Sequence, residues 1–179
     1  MTPGESFDYV QPLISFPELT VPQVQRITDV REFMSSPENY NGDIEDLKER
    51  LGAKFQQCKD LLKILGDRLQ LKIDELKEVR EEMIVLSVEM EKPTAALRFV
   101  TNHEKIKLNC LGESEDKEYE ISDALGWFNV KLSRANCEIL SLKSDLDYIN
   151  YLLSISQLNI KTVIKFYNVS NQFEEEHTI

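Results

Sequence analysis

Two long segments of the chain each carry an apolar stripe whose successive members are three or four residues apart, and in the second stripe the two spacings alternate without a break. In the second stripe thirteen of fourteen positions are apolar, whereas a composition that is 41% hydrophobic would give about six by chance. A seven-residue repeat of this kind describes a helix whose apolar seam is covered by another helix. The second stripe consists of Ile121, Leu125, Phe128, Leu132, Ala135, Ile139, Leu142, Leu146, Ile149, Leu153, Ser156, Ile160, Val163 and Tyr167.

The first stripe has the same length as the second, so the simplest arrangement folds the chain back and pairs the two helices with each other. Two glycines, Gly52 and Gly66, lie inside the first helix, and each weakens it by about 1 kcal/mol relative to alanine. Pro93 ends this helix, because proline does not continue one. The first stripe consists of Ile44, Leu47, Leu51, Phe55, Cys58, Leu62, Leu65, Leu69, Ile73, Leu76, Val79, Met83, Leu86 and Met90.

These patterns predict a mainly α fold, a long antiparallel coiled-coil hairpin of two helices with a small β-hairpin region between them. We expect one domain, because 179 residues fall within the usual size of a single domain. Along the chain the predicted parts are an N-terminal extension with short helices (1–42), the first coiled-coil helix (43–92), a β-hairpin assembly region (93–121), the second coiled-coil helix (122–170) and an acidic tail (171–179).

The N-terminal extension combines proline-rich sequence with helix-start signals. Asp29, with Glu32 three residues later, forms a capping pair that predicts a short helix through Met34. Ser36-Pro37 is a second start signal, with proline at the first helical position. Asn41-Gly42 then predicts a break before the first long helix.

The centre of the chain, residues 94–121, changes from helical to alternating periodicity. Apolar residues alternate on both sides of the turn-forming residues 102–104, which predicts a β-hairpin, and a further short strand is expected at 117–121. A lone hairpin is marginal in water and leaves open edges. We therefore expect these strands to pair with strands of other subunits. The alternating residues are Leu97, Phe99, Thr101, Ile106, Leu108 and Cys110.

Charge and composition exclude several function classes. The formal net charge of −11 disfavours binding to nucleic acid or to an anionic membrane surface, because both require Lys and Arg. Three widely spaced cysteines fit a reducing compartment, and no apolar run is long enough to span a membrane. Neither histidine has partners at metal-ligand spacing, and no phosphate-binding loop or nucleophile motif is present. We therefore expect a cytoplasmic protein that is not an enzyme and that needs no cofactor or metal.

The second helix carries more apolar surface than one seam requires. Two arrangements remain open at this stage: the N-terminal extension packs on this additional stripe, or the stripe faces a partner protein. The additional stripe consists of Tyr148, Tyr151, Ile155 and Leu158.

Several short motifs occur in an order that is typical of one protein family. They are Val21-Pro22, Asp29-Val30-Arg31-Glu32-Phe33-Met34, Pro37, Glu118-Tyr119-Glu120-Ile121-Ser122-Asp123-Ala124, Asp145-Leu146-Asp147-Tyr148 and Phe166-Tyr167-Asn168-Val169. In this order and spacing, across most of residues 20–170, the chain resembles the prefoldin family, and within it the eukaryotic subunit 3 group of the α class. Subunits of the α class have two β-hairpins between their helices, whereas this centre has signals for one hairpin and one strand. The resemblance is to a divergent member with a shortened β region.

The resemblance implies a subunit of a hetero-hexamer in which six subunits share a β-barrel platform and six coiled coils extend from it. Such a complex captures unfolded proteins, notably actin and tubulin, and delivers them to the cytosolic chaperonin without ATP. Its implied partners are therefore other prefoldin subunits, unfolded clients and the chaperonin. The implied platform residues are Leu97, Phe99, Ile106, Leu108, Cys110 and Tyr119. The implied client-contact candidates at the coiled-coil tip are Leu47, Leu51, Val163, Phe166, Tyr167 and Val169.

Two alternatives accompany this interpretation. Four of the tip candidates also fit a purely structural role in closing the seam, namely Leu47, Leu51, Val163 and Tyr167. A different function class, a structural coiled-coil tether or linker of the cytoskeleton or kinetochore, is also compatible with two long helices. The centre distinguishes the two classes, because a parallel tether does not need a β-type interruption between helices of equal length.

Overall fold

The computed structural model describes residues 12–90, 105–108 and 117–176. The elements in these ranges are α1 (Val30–Ser35), α2 (Ile44–Met90), β1 (Lys105–Leu108), β2 (Lys117–Glu120) and α3 (Ile121–Glu176). The protein is thus mainly helical and contains a pair of long helices, as the two apolar stripes predict. Its packing divides it into two compact units, the first running to Gly66 and resuming at Ser144, the second being Asp67–Lys143.

In the first unit, the start of α2 runs antiparallel to the end of α3. Leu47 and Leu51 line the same cavity as Ser156, while Tyr40, before α2, lies near Tyr167, further along α3. As the residue number rises on one helix it falls on the other, so the chain folds back within this unit. The side chains fully buried here include Leu47, Cys58, Leu65, Ile149 and Val163.

In the second unit, the rest of α2 packs antiparallel to the first part of α3. Val79, Leu86, Ala124 and Phe128 form a buried cluster. Further along the pair, the Nζ atom of Lys72 lies 2.9 Å from Glu138 and 3.0 Å from Glu75. The hydrogen bond to Glu138 is the main cause that raises the pKa of Lys72, and partial burial opposes it.

The two short strands pair with each other in antiparallel register. Ile106 lies opposite Tyr119, and Leu108 lies opposite Lys117. The described pairing therefore joins the strand expected around 106–110 to the one expected at 117–121. The predicted hairpin with the strand at 97–101 lies outside the described residues and stays a prediction.

Local sequence signals explain the helix starts. The side chain of Asp29 accepts a hydrogen bond from the Glu32 backbone N–H at 3.0 Å, which confirms the predicted cap of α1. Before α2, Gly42 adopts a φ of +94°, a left-handed conformation that glycine adopts without steric cost. Asp43 then caps α2 by accepting from the Glu45 N–H at 2.9 Å.

Two helix predictions differ from the structure. A second short helix was expected at Ser36-Pro37, but one turn forms there, because the Ser36 carbonyl accepts from the N–H groups of Asn39 and Tyr40 at 3.1 and 2.9 Å. The chain then reaches Gly42 and leaves no room for a longer helix. At the other end, α3 continues to Glu176, past the predicted end at residue 170. Glutamate is a good helix former, and neither proline nor glycine follows position 167.

Candidate functional site

The predicted client-contact residues lie together in the first unit, where α2 begins and α3 ends. Leu47 and Val163 are fully buried in the seam, whereas Val169 is 43% exposed. The remaining three are half-buried, namely Leu51, Phe166 and Tyr167. The burial of Leu47 and Val163 agrees with a seam-closing role, and client contact at all six positions stays a prediction.

An apolar row continues along the end of α3 beyond the predicted residues. Phe166, Val169 and Phe173 are spaced by three and four residues, so they lie on one side of the helix. Phe173 is 61% exposed. Sequence reasoning missed it because the helix was expected to end at residue 170, although the spacing itself continues. These three residues are called the terminal apolar row below.

Tyr40, in the turn before α2, lies near Tyr167 at this end of α3. The hydroxyl of Tyr40 donates a hydrogen bond to the carbonyl of Gly42 at 3.1 Å. Burial, followed by the nearby Tyr167 and Asp43, raises the pKa of Tyr40. The phenol therefore remains a neutral donor throughout the physiological pH range.

A segment before α1, residues 12–28, lies on α3 and is called the N-terminal strap below. Asp145, 3% exposed, accepts hydrogen bonds from the backbone N–H of Ile14 at 2.9 Å and of Ser15 at 2.7 Å. The same carboxylate also accepts from the Ser15 hydroxyl. A buried carboxylate thus obtains three donors, which offset the loss of its hydration.

A second buried polar residue holds the other end of the strap. The side-chain amide of Asn159, 4% exposed, accepts from the Ile27 N–H at 2.9 Å and donates to the Gln25 carbonyl at 2.7 Å. Between the two anchors, the side chain of Val21 is buried, and Leu13 is buried at the start of the strap.

The strap follows one row of α3. Asp145, Leu152 and Asn159 are spaced by seven residues and are all buried. The only sequence signal for this row was the pair of polar residues Asp145 and Asn159, two heptads apart beside the seam, and sequence reasoning did not use it. Asp145 belongs to a motif that carries the family resemblance, but its contact with the strap was not predicted.

The additional apolar stripe of α3 is divided between two environments. Tyr148 lines a small cavity with residues 21–25 of the strap, so the N-terminal extension covers this part. Tyr151 and Leu158 remain exposed. The N-terminal extension therefore packs on the stripe at Tyr148, while the exposed part at Tyr151 and Leu158 stays open to a partner protein.

A cavity of about 520 Å³ opens beside the strap in the first unit. Its apolar lining includes Phe33 and Leu51, and its polar lining includes Arg50, Lys54 and Asn159. The strap, α1, α2 and α3 all contribute to the walls. Polar side chains are about as numerous as apolar ones in this lining.

The predicted platform residues are only partly described. Ile106 and Leu108 lie in β1, and Tyr119 lies in β2 opposite Ile106. Three others lie outside the described residues, namely Leu97, Phe99 and Cys110. A role in subunit assembly stays a prediction for all six.

The second unit has a groove of about 400 Å³ beside its core. Trp127 contacts Phe128 edge-to-face, with ring centroids 5.1 Å apart, and the Nζ atom of Lys131 lies 4.7 Å from the Trp127 ring centroid. Near this groove, burial raises the pKa of Glu82, and Glu78 adds to the increase while Lys131 opposes it.

In the ranges that the structure describes, no group of three or more Cys, His, Asp or Glu side chains is arranged to hold a metal ion. No described helix combines the length and apolar character that a membrane crossing requires.

Comparisons with protein-family models, with curated proteins and with solved structures give no match to this chain. The prefoldin resemblance therefore depends on the motifs, their order and the helix pattern.

Proposed function

We propose that the chain is a subunit of a prefoldin-type hetero-hexamer, similar to the eukaryotic subunit 3 group, that captures unfolded proteins in the cytoplasm. In this proposal the complex delivers clients such as actin and tubulin to the cytosolic chaperonin without ATP. The observation that carries the proposal is the reversal of the chain, with two long helices that bury their apolar stripes against each other in both units. The tether alternative is disfavoured, because a parallel dimer would need those stripes for a second chain.

The paired strands support assembly with other subunits. β1 and β2 form a sheet of two strands among the described residues, and four-residue strands in a two-stranded sheet are marginal in water. The outer edges of such a pair offer unpaired backbone groups to strands of another chain. The proposal assigns these edges to the shared platform.

The terminal apolar row supports client capture. Val169 and Phe173 expose apolar surface, and burial of such surface is non-directional, so it accepts clients of varied sequence. A row near a helix end also adapts more easily than a packed core. The proposal assigns this row to the first contact with a client.

The test is an aggregation assay with the assembled complex. The chain is purified with candidate partner subunits, and the mass of the complex is measured in solution. The complex is then mixed with denatured actin in the absence of ATP, and light scattering reports aggregation. A complex of six subunits that suppresses aggregation supports the proposal, whereas a parallel homodimer without this activity contradicts it.

A pair of variants tests the terminal apolar row. The V169S/F173S variant removes its exposed apolar surface, and we expect aggregation suppression to fall several-fold. Leu140→Ser is the matched control, because Leu140 is 66% exposed and lies in the other unit. Equal losses in the two variants would contradict the assignment of client contact to the terminal row.

A further inference from the structure

The N-terminal strap is bound to α3 mainly through its backbone. Three of the hydrogen bonds at Asp145 and Asn159 involve backbone N–H groups, and a fourth involves the carbonyl of Gln25. Only the Ser15 hydroxyl adds a side-chain donor. The polar groups of α3 therefore recognise features that every polypeptide has, rather than features particular to this strap.

The geometry at Asn159 resembles strand pairing. Its amide accepts from the N–H of residue 27 and donates to the carbonyl of residue 25, so it spans one residue of the strap. In a parallel β ladder a residue bonds its neighbour strand in the same way, through groups on either side of the facing residue. Asn159 thus acts as a one-residue substitute for a strand, and backbone pairing of this kind binds extended peptides with little sequence preference.

The strap runs along α3 without helical structure of its own. Asp145 and Asn159 are fourteen residues apart, which corresponds to about 21 Å along a helix, and residues 15–26 of the strap lead from one anchor to the other. One turn lies within this stretch, closed by the hydrogen bond from the Leu19 N–H to the Phe16 carbonyl at 3.0 Å. Residues 20–28 after this turn form neither helix nor strand, so their backbone groups are available to the side chains of α3.

Apart from the anchors, the strap contributes two buried apolar side chains, Leu13 and Val21. The strap-binding surface of α3 thus accepts a non-helical segment with free backbone N–H groups and a few apolar side chains. We propose that this surface is a polypeptide-binding groove, that the N-terminal strap occupies it in cis, and that an extended apolar segment of an unfolded client displaces the strap. The identity of the occupant as a client rests on the proposed chaperone function.

The test opens the groove in the full chain without changing α3. The L13S/V21S variant weakens the strap and leaves Asp145 and Asn159 in place. The probes are a fluorescein-labelled peptide of residues 12–28 and reduced, carboxymethylated lactalbumin, a permanently unfolded polypeptide. We expect the opened variant to bind the labelled peptide at least tenfold more tightly than the unmodified chain, and the unfolded protein to compete with it.

Two further variants locate the binding. Asn159→Leu in the opened chain removes the backbone-pairing amide, and peptide affinity should fall about tenfold. Asn150→Leu is the matched control, because it makes the same change at an exposed position of α3 and should leave affinity unchanged. Equal affinity in the Asn159 and Asn150 variants would overturn the proposal.

Circular dichroism measures whether the L13S/V21S variant keeps its helical structure. Loss of the helical signal in the L13S/V21S variant would overturn the proposal, since the strap would then be an inseparable part of the fold. A helical variant that binds no peptide would also overturn it. If the assembled complex still suppresses actin aggregation in either case, the groove proposal fails while the chaperone proposal stands.

Discussion

At the scale of single residues, burial gives side chains of the same type different chemistry. Cys58 is completely buried in the first unit, whereas Cys137 is exposed. Burial raises the pKa of the Cys58 thiol, because a thiolate loses its hydration in an apolar seam. Since the thiolate is the reactive form, both accessibility and protonation protect Cys58.

This contrast predicts the order of alkylation. In a chain with Cys110→Ser, iodoacetamide at pH 8 should modify Cys137 at least ten times faster than Cys58, as measured by mass spectrometry of peptides. Unfolding in guanidinium is the control and should remove the difference. Similar rates in the folded chain would mean that the seam around Cys58 is open.

Glu82 supplies a prediction of pH dependence. Its pKa is raised by burial and by Glu78, so the folded state binds this proton more tightly than the unfolded state. The stabilising effect of protonation is complete below the ordinary pKa of 4.5 and is lost as pH rises through the folded value. At neutral pH the ionised Glu82 therefore destabilises the fold.

Replacement of the Glu82 carboxylate by a neutral amide should remove this destabilisation. Glu82→Gln should increase the free energy of unfolding by about 0.2–0.5 kcal/mol at pH 7, the scale of an i,i+4 like-charge pair. The gain should shrink as pH approaches 4.5. Chemical denaturation at several pH values measures it, and Glu81→Gln, at the exposed neighbour, is the control. A gain independent of pH would contradict the assigned cause.

At the scale of elements, the glycines of α2 have no packing role that the structure reveals. A Cβ atom added at Gly52 or Gly66 would meet nothing within 4 Å, and the same holds at Gly42, just before α2. Of Gly66 and Gly42, only Gly42 has a positive φ. The two positions therefore differ in backbone conformation and not in the space available.

Substitution by alanine should have opposite effects on stability at Gly66 and at Gly42. Gly66→Ala should stabilise the chain by about 1 kcal/mol, the difference in helix propensity. Gly42→Ala should destabilise it by about 1–2 kcal/mol, since a left-handed conformation is unfavourable for alanine. Denaturant melts measure both, and effects of the same sign would contradict the described start of α2.

The ion pair between Lys72 and Glu138 gives a test of packing between the two helices in the second unit. A double-mutant cycle with Lys72→Met and Glu138→Gln should give a coupling of about 0.5 kcal/mol, because both side chains are partly exposed to solvent. The coupling should fall in 1 M salt. A coupling of zero at low salt would place the two side chains apart in solution.

The element pattern could be predicted from the sequence where the spacing alone determines it. Both stripes identify the helix pair, and the Asp29–Glu32 capping pair identifies α1. The end of α3 was missed, because three glutamates at a helix C-terminus oppose its dipole, although glutamate itself favours helix. The strap anchors were missed because a lone Asp or Asn does not reveal which backbone groups reach it from more than a hundred residues away.

At the scale of the whole molecule, the account depends on the reversal of the chain. Apolar stripes specify that a partner helix exists, but they do not specify whether it belongs to the same chain. The structure answers this within each unit, where Leu51 lies near Ser156 and Lys72 contacts Glu138. The proposed assembly and the strap groove both require this arrangement.

The most direct test is cross-linking of an isotopic mixture. Labelled (¹⁵N) and unlabelled chains are mixed, unfolded, refolded together and treated with a lysine cross-linker. By the antiparallel register, Lys48 and Lys161 should be linked in the first unit, and Lys77 and Lys131 in the second. The account predicts that each link joins two peptides of the same isotopic label. Links that are half mixed in label, or no links at these pairs, would contradict it.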